Sequence, residues 1–175
     1  MSIRDEINVH VRNGTLVHLQ PWLPSDPVNR TMFIGEEILE IADPSTAADN
    51  WNGQREARVR GALDTFTAGR LISFGLNPHQ KKTAAFMARV SPTDAGVCDI
   101  RVLDPRPGIR VFGCFSEPDV FIGLTWNYRE NLERDDDWNA AANECRSEWD
   151  KLFPRVAPHI GTRIADYVTD RVYAV

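Results

Sequence analysis

The sequence predicts an α+β fold: a small antiparallel sheet, centred on residues 97–126, packed against helices. Two observations carry this. Three strand-like runs, Val97 to Leu103, Ile109 to Phe115 and Val120 to Trp126, are joined by Asp104-Pro105-Arg106-Pro107-Gly108 and Ser116-Glu117-Pro118-Asp119. Both connections are built of turn residues and are too short for a parallel crossover, so the strands form a meander. Beyond them Trp138, Ala141, Cys145, Trp149 and Leu152 recur at three- and four-residue spacing, an apolar helix stripe suited to lying on the sheet.

In chain order, Ile7, Val9 and Val11 alternate with polar residues ahead of Asn13-Gly14, which predicts a hairpin over residues 7–20. Three prolines between Pro21 and Pro27 separate it from the next element. Thr31 to Ala42 leans towards a short helix. Gln54 to Ala68 is a helix with Val59, Ala62, Leu63 and Phe66 on one face and Gly69 at its stop. Leu71 to Phe74 is a short strand, and Asn77-Pro78 opens a turn or helical piece that runs towards Phe86-Met87. Asp135-Asp136-Asp137 supplies negative charge and a cap to the helix that ends at Pro154, and Ile160, Ile164 and Tyr167 suggest a last short helix. The whole reads as one domain over residues 1–175: an N-terminal hairpin and linker (1–30), a core (54–152) and a C-terminal helical extension (153–175).

The 175 residues are 42% hydrophobic and 26% charged, ordinary globular values. Apolar runs such as Val120-Phe121-Ile122-Gly123-Leu124 fall far short of the roughly 20 residues that cross a bilayer. Acids near the N-terminus, where a signal peptide would be basic, point to a cytoplasmic protein without a membrane partner. Cys98, Cys114 and Cys145 lack metal-site or disulfide spacing and read as small buried hydrophobes. A net charge of −5 excludes a protein that grips nucleic acid over its whole surface. Residues 70–130 nevertheless hold eight Arg and Lys against six Asp and Glu.

Pleat alternation puts Arg101 with Asp99, opposite Ile100 and Val102, and puts Arg110 with Phe112, opposite Ile109 and Val111. With the aliphatic faces turned to the helices, both guanidiniums point to the wetter face and form an anion site; the other reading pairs Arg101 with Asp99. Tyr128 and Arg129 bring a phenol and a guanidinium into one turn, able to stack on a base and neutralise a phosphate, or else to serve as core and surface charge. His79, Lys81 and Lys82 are a basic cluster or an exposed loop. His10 and His18 fall on opposite faces of the hairpin, so no metal site is expected, and no cofactor motif is present.

Asp99-Ile100-Arg101, Ile109-Arg110-Val111-Phe112, Phe121-Ile122-Gly123-Leu124, Trp126-Asn127-Tyr128-Arg129 and the helix from Trp138 to Leu152 together resemble the RelE/HigB-like toxin superfamily, in its phage-derived branch. With His79-Gln80-Lys81-Lys82 upstream, the resemblance spans residues 76–152. It implies a RelE-like core and a metal-independent endoribonuclease that acts on mRNA at the ribosome by transfer to the 2′-hydroxyl, neutralised by an antitoxin protein. It further implies Arg101 and Arg110 at the scissile phosphate, Tyr128 as acid or base, and Arg129, Lys81, Lys82 and His79 on the RNA. The alternative keeps the fold as a protein-binding module of a phage or mobile element, without catalysis.

Overall fold

The computed structural model describes residues 2–43, 53–80 and 84–175. The meander is present: β5 (Val97–Val102), β6 (Ile109–Glu117) and β7 (Val120–Tyr128) are consecutive antiparallel neighbours. The sheet around it is not small. Eight strands lie in the order β1-β2-β7-β6-β5-β4-β3-β8, adding β1 (Val17–His18), β2 (Thr31–Ile34), β3 (Ile72–Gly75), β4 (Met87–Arg89) and β8 (Val172–Ala174). It is also mixed, since β2 runs parallel to β7, and β3 runs parallel to both β4 and β8.

Helices cover both faces. The helices α2 (Glu36–Ala42) and α3 (Gly53–Thr67) put Ile38, Val59, Leu63 and Phe66 against Ile100, Val102, Ile109 and Val111. On the opposite face α1 (Ile3–Arg12) and α4 (Asp135–Leu152) bring Ile7, Ala142, Cys145 and Trp149 onto Val97, Phe112, Cys114 and Ile122. All three cysteines are buried. Burial pushes the Cys114 thiol up, with the neighbouring Cys145 adding to it, so it is inert packing. No described helix is long and apolar enough to cross a membrane.

Several segments differ from the sequence expectation. The hairpin over 7–20 is instead a helix followed by the two-residue β1. Ser2 accepts from the Asp5 N–H while the Asp5 carboxylate accepts from the Ser2 N–H, a capping box that starts α1. Ile3, Ile7 and Val11, four apart, turn inward, whereas Val9 is exposed; Asn13-Gly14, with φ of 80° at Gly14, closes a helix rather than a hairpin. Thr31 to Ala42 divides into β2 and α2, with Gly35 between them. The C-terminal helical extension is a single 3-10 turn, Ile164–Asp166, after which β8 joins β3. There Tyr167 stacks on Phe74 at 5.3 Å between ring centroids, and its hydroxyl donates to the Gly161 carbonyl and accepts from the Gly161 N–H.

Candidate functional site: an arginine cleft at the end of the meander

The short loop between β5 and β6 fixes their register, setting Arg101 directly opposite Arg110. Asp99, two residues before Arg101 on the same strand, lies on the same face. Its Oδ2 accepts from Arg101 Nε at 3.2 Å and lies 3.5 Å from Arg110 Nε, beyond a well-aligned hydrogen bond. Both guanidiniums thus converge on one carboxylate. They do not project into solvent as expected: the side chains of Arg101, Arg110 and Asp99 are 4%, 7% and 0% exposed. A wetter face requires a sheet with helices on one side only, and α1 and α4 cover the second side.

Burial lowers the Arg110 pKa to about 10, with Asp99 opposing and Arg101 and Arg129 reinforcing the shift. Arg110 thus feels two neighbouring guanidiniums as well as the Asp99 carboxylate. Arg110 Nη1 donates to the Ile109 carbonyl, while Arg110 Nε and Asp99 Oδ1 have no hydrogen-bond partner among the described residues.

Arg110 forms the inner wall of a cleft of about 550 Å³ whose rim carries Arg106, Arg129, Asp104, Glu130 and Glu133. Gly108 ties its two sides together by accepting the Arg129 N–H at 2.7 Å. A Cβ at Gly108 would meet the Val102 carbonyl at 2.8 Å, so the turn needs glycine for close approach. On the far side of Arg129 is a second cavity of about 350 Å³, bounded by His79, Ser91, Asp135, Trp138 and Asn139. Arg129 is held between the two, donating to the Leu132 carbonyl at 2.7 Å with its guanidinium 5.7 Å from the Trp138 ring centroid. The Trp138 indole N–H donates to the same carbonyl at 2.9 Å.

Tyr128 does not join the arginines. Its register partner is Ile109, whereas Arg110 faces Asn127, so alternation sends the phenol through to the α3 side of the sheet. There it packs edge-on to Trp126, with the Arg55 guanidinium 5.3 Å from its ring centroid and Arg55 Nη1 at 3.5 Å from its hydroxyl. The predicted group of Arg101, Arg110 and Tyr128 is thus corrected to Asp99, Arg101 and Arg110. His79 is exposed, its N–H held by Asn77 Oδ1 in a turn, and reaches the second cavity. Lys81 and Lys82 lie outside the described residues.

Two features went unread in the sequence. Arg106 reaches the cleft from the turn Pro105-Arg106-Pro107, where nothing but its charge marked it. Arg30, only 3% exposed, donates to the carbonyls of Phe66, Arg70, Asp170 and Arg171, tying the end of α3 to the approach of β8. Among the described residues no group of three His, Cys, Asp or Glu side chains is placed to hold a metal. Comparison of the chain with family models, with curated proteins and with solved structures gave no match.

Proposed function

We propose that this chain is a RelE/HigB-like, toxin-type endoribonuclease whose arginine cleft holds the backbone of mRNA. The observation that supports the reading is Arg110 at the inner end of an open cleft that Arg106 and Arg129 also line, together with the carboxylates of Asp104, Glu130 and Glu133. The guanidiniums of Arg106, Arg110 and Arg129, which line the cleft, suit the oxygens of a phosphodiester. In the reaction the 2′-hydroxyl oxygen attacks phosphorus as its proton passes to a base. The bond from phosphorus to the 5′ oxygen breaks, that oxygen leaves with a proton, and a cyclic 2′,3′-phosphate remains. Arg110 and Arg129 would stabilise the crowded phosphate charge. With Tyr128 on the other face, His79, which lines the neighbouring cavity across Arg129, is the imidazole to carry the proton. A neutralising partner protein belongs to the same proposal.

A second reading, a RelE-like fold that binds without cutting, draws on the same turn of Tyr128 to the α3 side and on the Asp99 carboxylate already seated between the arginines. The two are separated by expressing the chain and following growth and mRNA integrity, alongside Arg106→Ala, Arg110→Lys and His79→Ala. The nuclease reading expects RNA cleavage that Arg106→Ala weakens, and that Arg110→Lys and His79→Ala abolish in folded protein. Intact mRNA with wild-type protein and ribosomes present would overturn it.

A further inference from the structure

We infer that the cavity beside the cleft selects a guanine base on the strand whose phosphate lies against Arg110 and Arg129; this rests on the RNA reading above and deepens it. The two cavities share one wall, the Arg129 guanidinium. A phosphate on one side of it and the adjacent base on the other matches the repeat of a single strand, in which each unstacked base sits beside its own backbone.

The chemistry of the second cavity is that of a base and not of a phosphate. It lies at the start of α4, where Asp135, Asp136 and Asp137 succeed one another, and a second anion would be repelled. Besides the shared Arg129, its polar groups are Asp135, Asn139, Ser91 and His79, and its apolar surface comes from Trp138, Val90 and Pro78. Trp138 is fixed by its N–H to the Leu132 carbonyl and by an edge contact to Phe112 at 6.1 Å, so the wall is preformed. An ionised carboxylate only accepts hydrogen bonds. Guanine, unlike the other bases, presents two adjacent donors on its Watson–Crick edge, the N1–H and the N2 amino group. Asp135 can take both, and the Asn139 amide is then free to donate to O6. Adenine, cytosine and uracil each turn at least one acceptor towards that carboxylate. The Asp135 side chain, at an exposed helix start, is available for this.

The test uses the full chain and fluorescently labelled RNA hexamers of five uridines with G, A, C or U at the third position, measured by anisotropy. The G hexamer binds about tenfold more tightly than the other three, the gain expected of one good bidentate base contact. Asp135→Asn removes that preference, so that the G hexamer binds no more tightly than the all-uridine hexamer. Arg106→Ala, on the rim of the phosphate cleft, weakens all four hexamers alike. Equal binding of all four, or a guanine preference that survives Asp135→Asn, overturns the base pocket while the RNA reading stands. Binding of none of them overturns both.

Discussion

Replacing Asp99 by Asn tests the electrostatic core of the site most directly. Asp99 is fully buried, and the guanidiniums of Arg101 and Arg110 reach it at 3.2 and 3.5 Å while remaining almost wholly out of water themselves. The amide is isosteric, so no cavity opens and packing is conserved. What is lost is the negative charge, leaving two guanidiniums facing one another across the β5–β6 register without the carboxylate between them. Removing one partner of a buried ion pair costs about 3–5 kcal/mol. For a chain of this length that lowers the melting temperature by roughly 10 °C. Urea unfolding followed by tryptophan fluorescence reads the loss as a lower midpoint at constant slope. The cleft adds a second signature: phosphate or sulfate entering beside Arg110 restores charge balance in the variant, and at a hundred times its dissociation constant returns about 2.7 kcal/mol. An Asp99→Asn protein that unfolds at the wild-type midpoint would show that the carboxylate is not the counter-charge that holds the arginines.

Three further outcomes rest on packing and titration. Trp149→Ala removes a fully buried indole that packs near Phe153 and donates to the Val156 carbonyl at 2.7 Å, and lowers stability by about 3–5 kcal/mol in urea unfolding. Gly61→Ala places a methyl group where nothing lies within 4 Å inside α3, and raises stability by about 1 kcal/mol, read as a higher urea midpoint. The Asp166 carboxyl is held at about 2, against an ordinary 3.8, by the backbone N–H of Arg163, then its side chain, then the N–H of Thr162. A lowered folded pKa gives stability that is complete above about 4 and is lost as pH falls towards 2, so Asp166→Asn flattens the acid limb of an unfolding profile in that window.

The meander and α4 were legible because each rests on local signals. Proline- and aspartate-rich turns fix the antiparallel order of β5, β6 and β7, and the stripe from Trp138 to Leu152 has one period only. The segment from Ile3 to Val11 carries two periods at once. Read in steps of two, Ile7, Val9 and Val11 make a strand; read in steps of four, Ile3, Ile7 and Val11 make a helix, and the Ser2–Asp5 cap decides for the helix. The wider sheet was not legible because its parallel pairs join residues far apart, Met32 with Phe121 and Ser73 with Tyr173, and no local pattern encodes such partners. Arg101 and Arg110 were placed together correctly by the β5–β6 loop. Tyr128 was read as part of a turn after Trp126, but β7 runs on through Tyr128, and strand alternation then sends it to the face opposite Arg110.

The pairing of β2 with β7 sets the order in which the molecule assembles. Residues 31–34 precede β7 by almost ninety positions yet form its outer neighbour, so that contact requires closure of a very long loop. The three-stranded meander, with its short connections, has the smaller closure cost, and until β2 docks its last strand presents Phe121, Ile122 and Leu124 beside an unpaired backbone. Non-local pairing of this kind slows folding into the range of milliseconds to seconds. During that interval the open margin of β7 is the part of the nascent protein most prone to capture by another chain, and docking of β2 is the event that ends the exposure.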